Sequence, residues 1–90
     1  MREEIHISAV IPAYNRGKTV ARAIDSVLAQ DYPASEIIVI DDGSKDATGE
    51  IVRKYGDKVR YVYQDNAGVA AARNRGASEA KYEWIAFLDS

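Results

Sequence analysis

Cysteine is absent from the 90 residues, so neither a disulfide framework nor a thiolate metal site is open to this chain. That absence suits a reducing cytoplasm. No apolar run approaches the roughly 20 residues that a membrane-spanning helix needs. The opening Met1-Arg2-Glu3-Glu4 is acidic and has no long apolar stretch behind it, so it is not expected to be a signal peptide. No membrane contact is expected from this segment; an anchor elsewhere in a parent protein would hold it at the inner face of the membrane. Excess charge of one sign is missing too. A net charge of −2 and a pI near 5.3 give no electrostatic reason to expect nucleic acid as a partner. Repeats, linkers and low-complexity segments are also lacking.

What the chain does have is enough apolar residue for one core. A hydrophobic fraction of 47% and a charged fraction of 29% fit a globular domain and argue against disorder. Ninety residues suffice for one small domain and are too few for two.

The pattern alternates strand and helix. Ile7 to Ile11 is a β-branched run that Pro12 should end. From Thr19 to about Gln30, the residues Val20, Ile24, Val27 and Leu28 form one helical stripe, with Arg22, Asp25 and Gln30 off it. Tyr32-Pro33 should stop that helix. Ile37 to Ile40 is an unbroken aliphatic run, as in a strand covered on both faces. Asp46 is placed to cap a second helix carrying Ile51, Val52 and Tyr55. A third strand is expected over Val59 to Tyr63 and a third helix over Val69 to Glu79. The alanines of that helix, with Gly76, should let its backbone lie close to the sheet. Trp84 to Leu88 completes the set as a fourth strand.

Strands separated by helices imply an α/β fold with a parallel sheet and right-handed crossovers. In such sheets, ligands bind at the carboxyl ends of the strands, near the point where strand order reverses. An order of 3-2-1-4 would bring Tyr14 and Asp89 together although nearly the whole chain separates them, with Asp42 one strand away.

The strand ends carry the residues with chemistry. Pro12-Ala13-Tyr14-Asn15 follows the first strand, and the Tyr14 ring offers a face on which a base can stack; it can equally pack over the first helix. Asp41 and Asp42 follow the second. Adjacent side chains on extended backbone point to opposite faces, so Asp41 is assigned to the turn with Gly43-Ser44 and Asp42 to the cleft. Asn66 and Gly68 precede the third helix, whose N-terminus can receive an anion. On that helix, Arg73 either pairs with phosphate or salt-bridges a strand-end aspartate, and Arg75 belongs on a solvated face. Asp89 follows the fourth strand, where a carboxylate can touch ribose or share a hard cation with phosphates. His6, the single histidine, stands at the far end of strand one and is given no role. The segment Pro12-Ala13-Tyr14-Asn15-Arg16-Gly17 lacks the Gly-x-Gly-x-x-Gly of dinucleotide-binding folds. A receiver-like regulatory module would carry its acidic pair after strand one, not strand two.

Four segments carry a family resemblance: Ile7-Ser8-Ala9-Val10-Ile11-Pro12-Ala13-Tyr14-Asn15, Ile37-Ile38-Val39-Ile40-Asp41-Asp42-Gly43-Ser44, Asn66-Ala67-Gly68 with Ala72-Arg73-Asn74-Arg75-Gly76, and Phe87-Leu88-Asp89-Ser90. In this order they resemble the signatures of family-2 glycosyltransferases across essentially the whole chain. The resemblance implies a Rossmann-like three-layer α/β/α domain of the GT-A type. It also implies an inverting transfer of sugar from a nucleoside-diphosphate sugar, a UDP-sugar before others, to an acceptor hydroxyl. By matching positions, Pro12, Ala13 and Tyr14 would border the base and Asp42 would hydrogen-bond it. Asn66 and Arg73 would line the nucleotide side. Asp89 would be the first aspartate of an Asp-X-Asp element that binds Mg²⁺ or Mn²⁺. The second aspartate and the general base would lie beyond Ser90, so residues 1–90 are expected to be the nucleotide-sugar-binding N-terminal part of a truncated domain, inactive alone. The alternative reading is a non-catalytic nucleotide-binding module. Self-association is expected through the outer edge of the fourth strand or through the surface that the remainder of a complete domain would cover. The particular sugar and acceptor are not legible.

Overall fold

A computed structural model describes residues 5–30 and 34–90. The expectations for Met1–Glu4 and for Tyr32-Pro33 as a helix stop lie outside the described residues. The chain runs β1 (Ile7–Ala13), α1 (Val20–Leu28), β2 (Glu36–Asp42), α2 (Thr48–Arg53), a short 3₁₀ turn at Gly56–Lys58, β3 (Arg60–Gln64), α3 (Val69–Glu79) and β4 (Trp84–Phe87). The strands form one sheet in the order β3-β2-β1-β4, and each neighbouring pair is parallel. This is the expected topology, with the reversal of strand order at β1.

Both central strands are buried along nearly their whole length, which is why their sequences are aliphatic without alternation. Ala9, Ile11, Ala13, Ile37 and Val39 face one layer, where Val20, Ile24 and Val27 of α1 and Val52 of α2 close the larger core. Val10, Ile38 and Ile40 face the other layer, against Ala72 of α3, with Val62, Ala80 and Ile85 at its margin. Each fully buried valine or isoleucine contributes roughly 1.5–3 kcal/mol relative to exposure. Leu28 departs from the expected stripe and is exposed. It is the last residue of α1, beyond the end of the buried Val20-Ile24-Val27 line.

The strands end later or earlier than the residue pattern suggests because pairing decides their length. β1 does not stop at Pro12: Pro12 and Ala13 still pair with Ile40 and Asp41. Proline is tolerated there because β4 pairs with β1 only through Val10, so no ladder partner needs a proline N–H. β2 likewise takes in Asp41 and Asp42, which pair with Tyr63 and Gln64 of β3. β4 ends one residue short of Leu88.

β4 forms one edge of the sheet, with Trp84 and Phe87 exposed. Asp46 accepts from the N–H of Thr48 at 3.0 Å and from that of Gly17 at 3.0 Å, so it fastens the start of α2 and the β1–α1 loop together. The Thr48 hydroxyl, the Thr48 N–H and the Gly17 N–H together hold its carboxyl below the usual range. No described helix is long and apolar enough to cross a membrane.

Candidate functional site

A cleft of about 540 Å³ opens at the carboxyl rim of the sheet. Pro12, Ala13 and Tyr14 from the end of β1, Asp42 from β2, Asn66, Gly68, Val69 and Ala72 from the β3–α3 region, and Asp89 and Ser90 beyond β4 line it, together with Arg16. Tyr14 and Asp89 therefore share one rim and belong to neighbouring strands. The reason is topological: β1 and β4 are parallel partners, so both chains leave the sheet on the same side.

Tyr14 is 45% exposed, so its ring is not consumed by packing over α1. The chain then turns at Asn15, which takes a positive φ of 52°. Asparagine is among the few residues that adopt this geometry readily. The loop is fixed to the β2–α2 connection by the Asn15 N–H donating to Ser44 Oγ (2.8 Å) and the Lys45 N–H donating to Asn15 Oδ1 (2.8 Å). The Arg16 N–H also donates to Thr48 Oγ1 at 3.0 Å.

The paired aspartates divide as the pleat requires. Asp41 is buried on the α1–α2 face, where Oδ2 accepts from the Tyr61 hydroxyl at 2.6 Å and Oδ1 from the Ser44 N–H at 2.8 Å. Burial and this carboxylate together push the Tyr61 hydroxyl well above its ordinary pKa. Asp42 is buried on the α3 face and collects four donors. Oδ1 accepts from Gln64 Nε2 (2.9 Å) and the Ala67 N–H (2.9 Å), and Oδ2 from the Gly68 N–H (2.9 Å) and Asn66 Nδ2 (3.2 Å). Burial pushes its carboxyl up, but the bonds from Gln64, Ala67 and Gly68 outweigh that and leave it below the ordinary value. A carboxylate offers about four lone-pair sites, so these donors fill it. Asp42 thus clamps the β3–α3 loop as well as lining the cleft.

Two hydrogen bonds hold the far wall. The Thr19 hydroxyl donates to the Ser90 carbonyl (2.7 Å), and the Ser90 hydroxyl donates to the Pro12 carbonyl (2.9 Å). Asp89, the residue before Ser90, is exposed, and among the described residues its carboxylate has no hydrogen-bond partner. No group of three or more histidine, cysteine or acidic residues suited to a metal ion occurs among the described residues. Asp89 can contribute one oxygen ligand, which fits a cation held chiefly by substrate phosphates.

Of the residues singled out in the sequence, Pro12, Ala13, Tyr14, Asp42, Asn66 and Asp89 come together. Arg73 does not: it is exposed on α3, outside the lining, and has no ion-pair partner among the described residues. Arg75 bonds Glu79 at 3.0 Å on the helix surface. His6 lies at the opposite rim, stacked on Tyr82. Sequence reasoning passed over Arg16, Val69 and Ala72. The signal for Arg16 was a cation two residues after the candidate stacking ring.

A small α/β sheet whose rim combines an exposed aromatic ring, a filled carboxylate and an open one has the form of a nucleotide-binding half-domain. The sequence model of glycosyl transferase family 2 matches residues 8–90, and the chain belongs to that family. An uncharacterized glycosyltransferase of Rickettsia typhi is 46% identical over 82 residues, covering 91% of this chain and 26% of the relative. The crystal structure of S. aureus TarS 1-349 in complex with UDP-GlcNAc superposes with a TM-score of 0.85 at 32% identity, over 94% of this chain and 26% of that one. The mannosyltransferase PcManGT from Pyrobaculum calidifontis, in complex with GDP-Man and Mn²⁺, gives 0.85 at 26% identity, over 93% and 27%. The chain spans about a quarter of the length of each of these three proteins.

Proposed function

We propose that this chain is the donor-binding part of a transferase that moves a sugar from a nucleoside diphosphate to an acceptor hydroxyl. The observation that carries the reading is the shared cleft of Tyr14 and Asp89 on adjacent parallel strands. The UDP-GlcNAc and GDP-Man complexes of the structural relatives support it.

In this reading the base stacks on Tyr14 between Pro12, Ala13 and the clamped β3–α3 loop. Asp42 is filled, so a base N–H bonds to it by displacing the weakest present donor, the Asn66 amide at 3.2 Å. The Asn66 amide keeps its bond to the Asp42 carbonyl (2.9 Å), and its other N–H becomes available to the ligand. Asp89 meets the ribose and supplies one ligand to Mg²⁺ or Mn²⁺, whose part when bound is to offset the charge of the leaving diphosphate. Arg73, off the cleft, is given no role. In the transfer, the bond from the anomeric carbon to the diphosphate oxygen breaks and the acceptor oxygen replaces it. Inversion requires a base on the opposite face to take the acceptor's proton. We assign no residue of this cleft to that step, and the part proposed for this segment is capture of the donor.

Titration with UDP and GDP, followed by NMR in the presence of Mg²⁺, tests the proposal. Shifts should concentrate at Tyr14, Asn66 and Asp89. Tyr14→Ala should weaken binding by about 1–3 kcal/mol, the worth of base–aromatic stacking. Unchanged affinity in that variant, or shifts at the His6 rim instead, would remove the donor site from this cleft.

A second copy of this chain is the proposed partner of the β4 edge. An unpaired strand carrying Trp84 and Phe87 is a template for strand addition. Sedimentation should show association that grows with concentration and is reduced in Phe87→Lys; a monomer at every concentration rules it out.

A further inference from the structure

The cleft carries one cation that the functional reading has not used. Arg16 is the one cationic side chain lining it among the described residues. The other described arginines are committed or placed elsewhere. Arg53 lies over the Tyr61 ring, Arg60 and Arg75 pair with Glu79, and Arg22 and Arg73 are exposed outside the lining. The Arg16 guanidinium has no ion-pair partner among the described residues.

Its backbone, by contrast, is held firmly. The Arg16 N–H donates to Thr48 Oγ1, and the Arg16 carbonyl accepts from the N–H groups of Thr19 (3.0 Å) and Val20 (2.7 Å). On either side, Asn15 is locked to Ser44 and Lys45, and the Gly17 N–H to Asp46. A left-handed residue followed by this lattice of bonds fixes where the side chain starts, which reduces the entropy lost when it grips a ligand.

The position within the cleft is also defined. Thr19, bonded to the Arg16 carbonyl, donates its hydroxyl to Ser90, the residue after Asp89. The Arg16 segment therefore lies against the Asp89 wall. With the base on Tyr14 and the ribose towards Asp89, the next part of a donor to meet that wall is its diphosphate. Electrostatics agree. The Asp42 charge is met by four donors, so it does not neutralise an arginine, and an unpaired guanidinium at the rim favours an anion.

We infer that Arg16 is a donor-binding residue that grips the diphosphate of the nucleotide sugar. This rests on the donor-site reading above. A guanidinium offers parallel N–H donors that match two phosphate oxygens, whereas a nucleoside gives it no comparable charge.

The test is calorimetry of the 90-residue chain with uridine, UMP and UDP, and with the matching guanosine series, in Mg²⁺ buffer. Wild type, Arg16→Ala and Arg16→Lys are compared. The Arg16 side chain is exposed and makes no hydrogen bond or ion pair among the described residues, so both variants should keep the wild-type melting temperature. In Arg16→Ala, diphosphate affinity should fall about tenfold or more, as expected for lost bonds to a charged group. Nucleoside affinity should stay unchanged, and the gain from monophosphate to diphosphate should collapse. Arg16→Lys should fall between the two. An equal loss for nucleoside and diphosphate, or no loss for either, overturns the assignment while leaving the donor site intact. Failure of the wild type to bind any member of either series overturns the donor site itself, and Arg16 with it.

Discussion

Asp42→Ala should be the most damaging single change at the rim, lowering both stability and nucleotide affinity. The substitution removes an acceptor that satisfies Gln64, Asn66 and the N–H groups of Ala67 and Gly68. A hydrogen bond to a charged group contributes about 1.5–3 kcal/mol, and because Asn66, Ala67 and Gly68 are exposed, water takes over part of what these donors lose. A loss of roughly 3 kcal/mol is expected, a large share of the stability of a domain this size. Urea unfolding measures it. The pH dependence follows from the depressed carboxyl. Because its folded pKa lies below the unfolded value near 3.9, its contribution is complete above about pH 5 and is lost as the pH falls towards and through the folded pKa. The gap between wild type and Asp42→Ala should therefore be widest near neutrality and narrow below about pH 4. A gap that is constant with pH, or a variant as stable as wild type, would show that the clamp contributes little.

Gly76→Ala should destabilise the domain although alanine is the better helix former by about 1 kcal/mol. A Cβ at position 76 would stand 2.2 Å from Val10 Cγ1 and 3.2 Å from its Cβ and Cγ2. Val10 is fully buried, and its β-branched side chain has few rotamers to retreat into. Either α3 lifts from the sheet or Val10 is strained, at a net cost of about 1–3 kcal/mol. That corresponds to a fall in melting temperature of roughly 4–8 °C per kcal/mol at this chain length. Adding Val10→Ala should recover part of the loss, because the two positions are in contact. A rise in melting temperature for Gly76→Ala alone would mean that α3 does not sit so close.

The fold was legible to the extent that local chemistry decided it. α3 begins and ends where the residue pattern puts it, since Gly68 opens it at a φ of +99° and its alanines favour nothing else. The strand order was expected from the alternation of strands and helices as in doubly wound sheets, and the special residues after each apolar run then fell at one rim. Strand ends were not, because the pairings of Pro12 with Ile40 and Asp42 with Gln64 are made by neighbours far along the chain. The division of labour between Asp41 and Asp42 followed from the pleat alone. What no sequence pattern could show is that Asp42 is filled, since that depends on the Asn66–Gly68 loop folding back over it. Arg73 follows Ala72, which lines the cleft, but is itself exposed and not among the lining residues.

The pairing of Ile7 with Trp84 and the bond from Thr19 to Ser90 have a temporal consequence. Synthesis adds about 5–20 residues each second, so β1, β2 and α1 can meet while the remainder is still unmade. The rim wall formed by Asp89 and Ser90 cannot. It depends on contacts between residues more than 70 positions apart, which carry a high loop-closure entropy. Within residues 1–90 the cleft therefore forms only after β4 has docked, and until then the emerging segment is blind to its ligand.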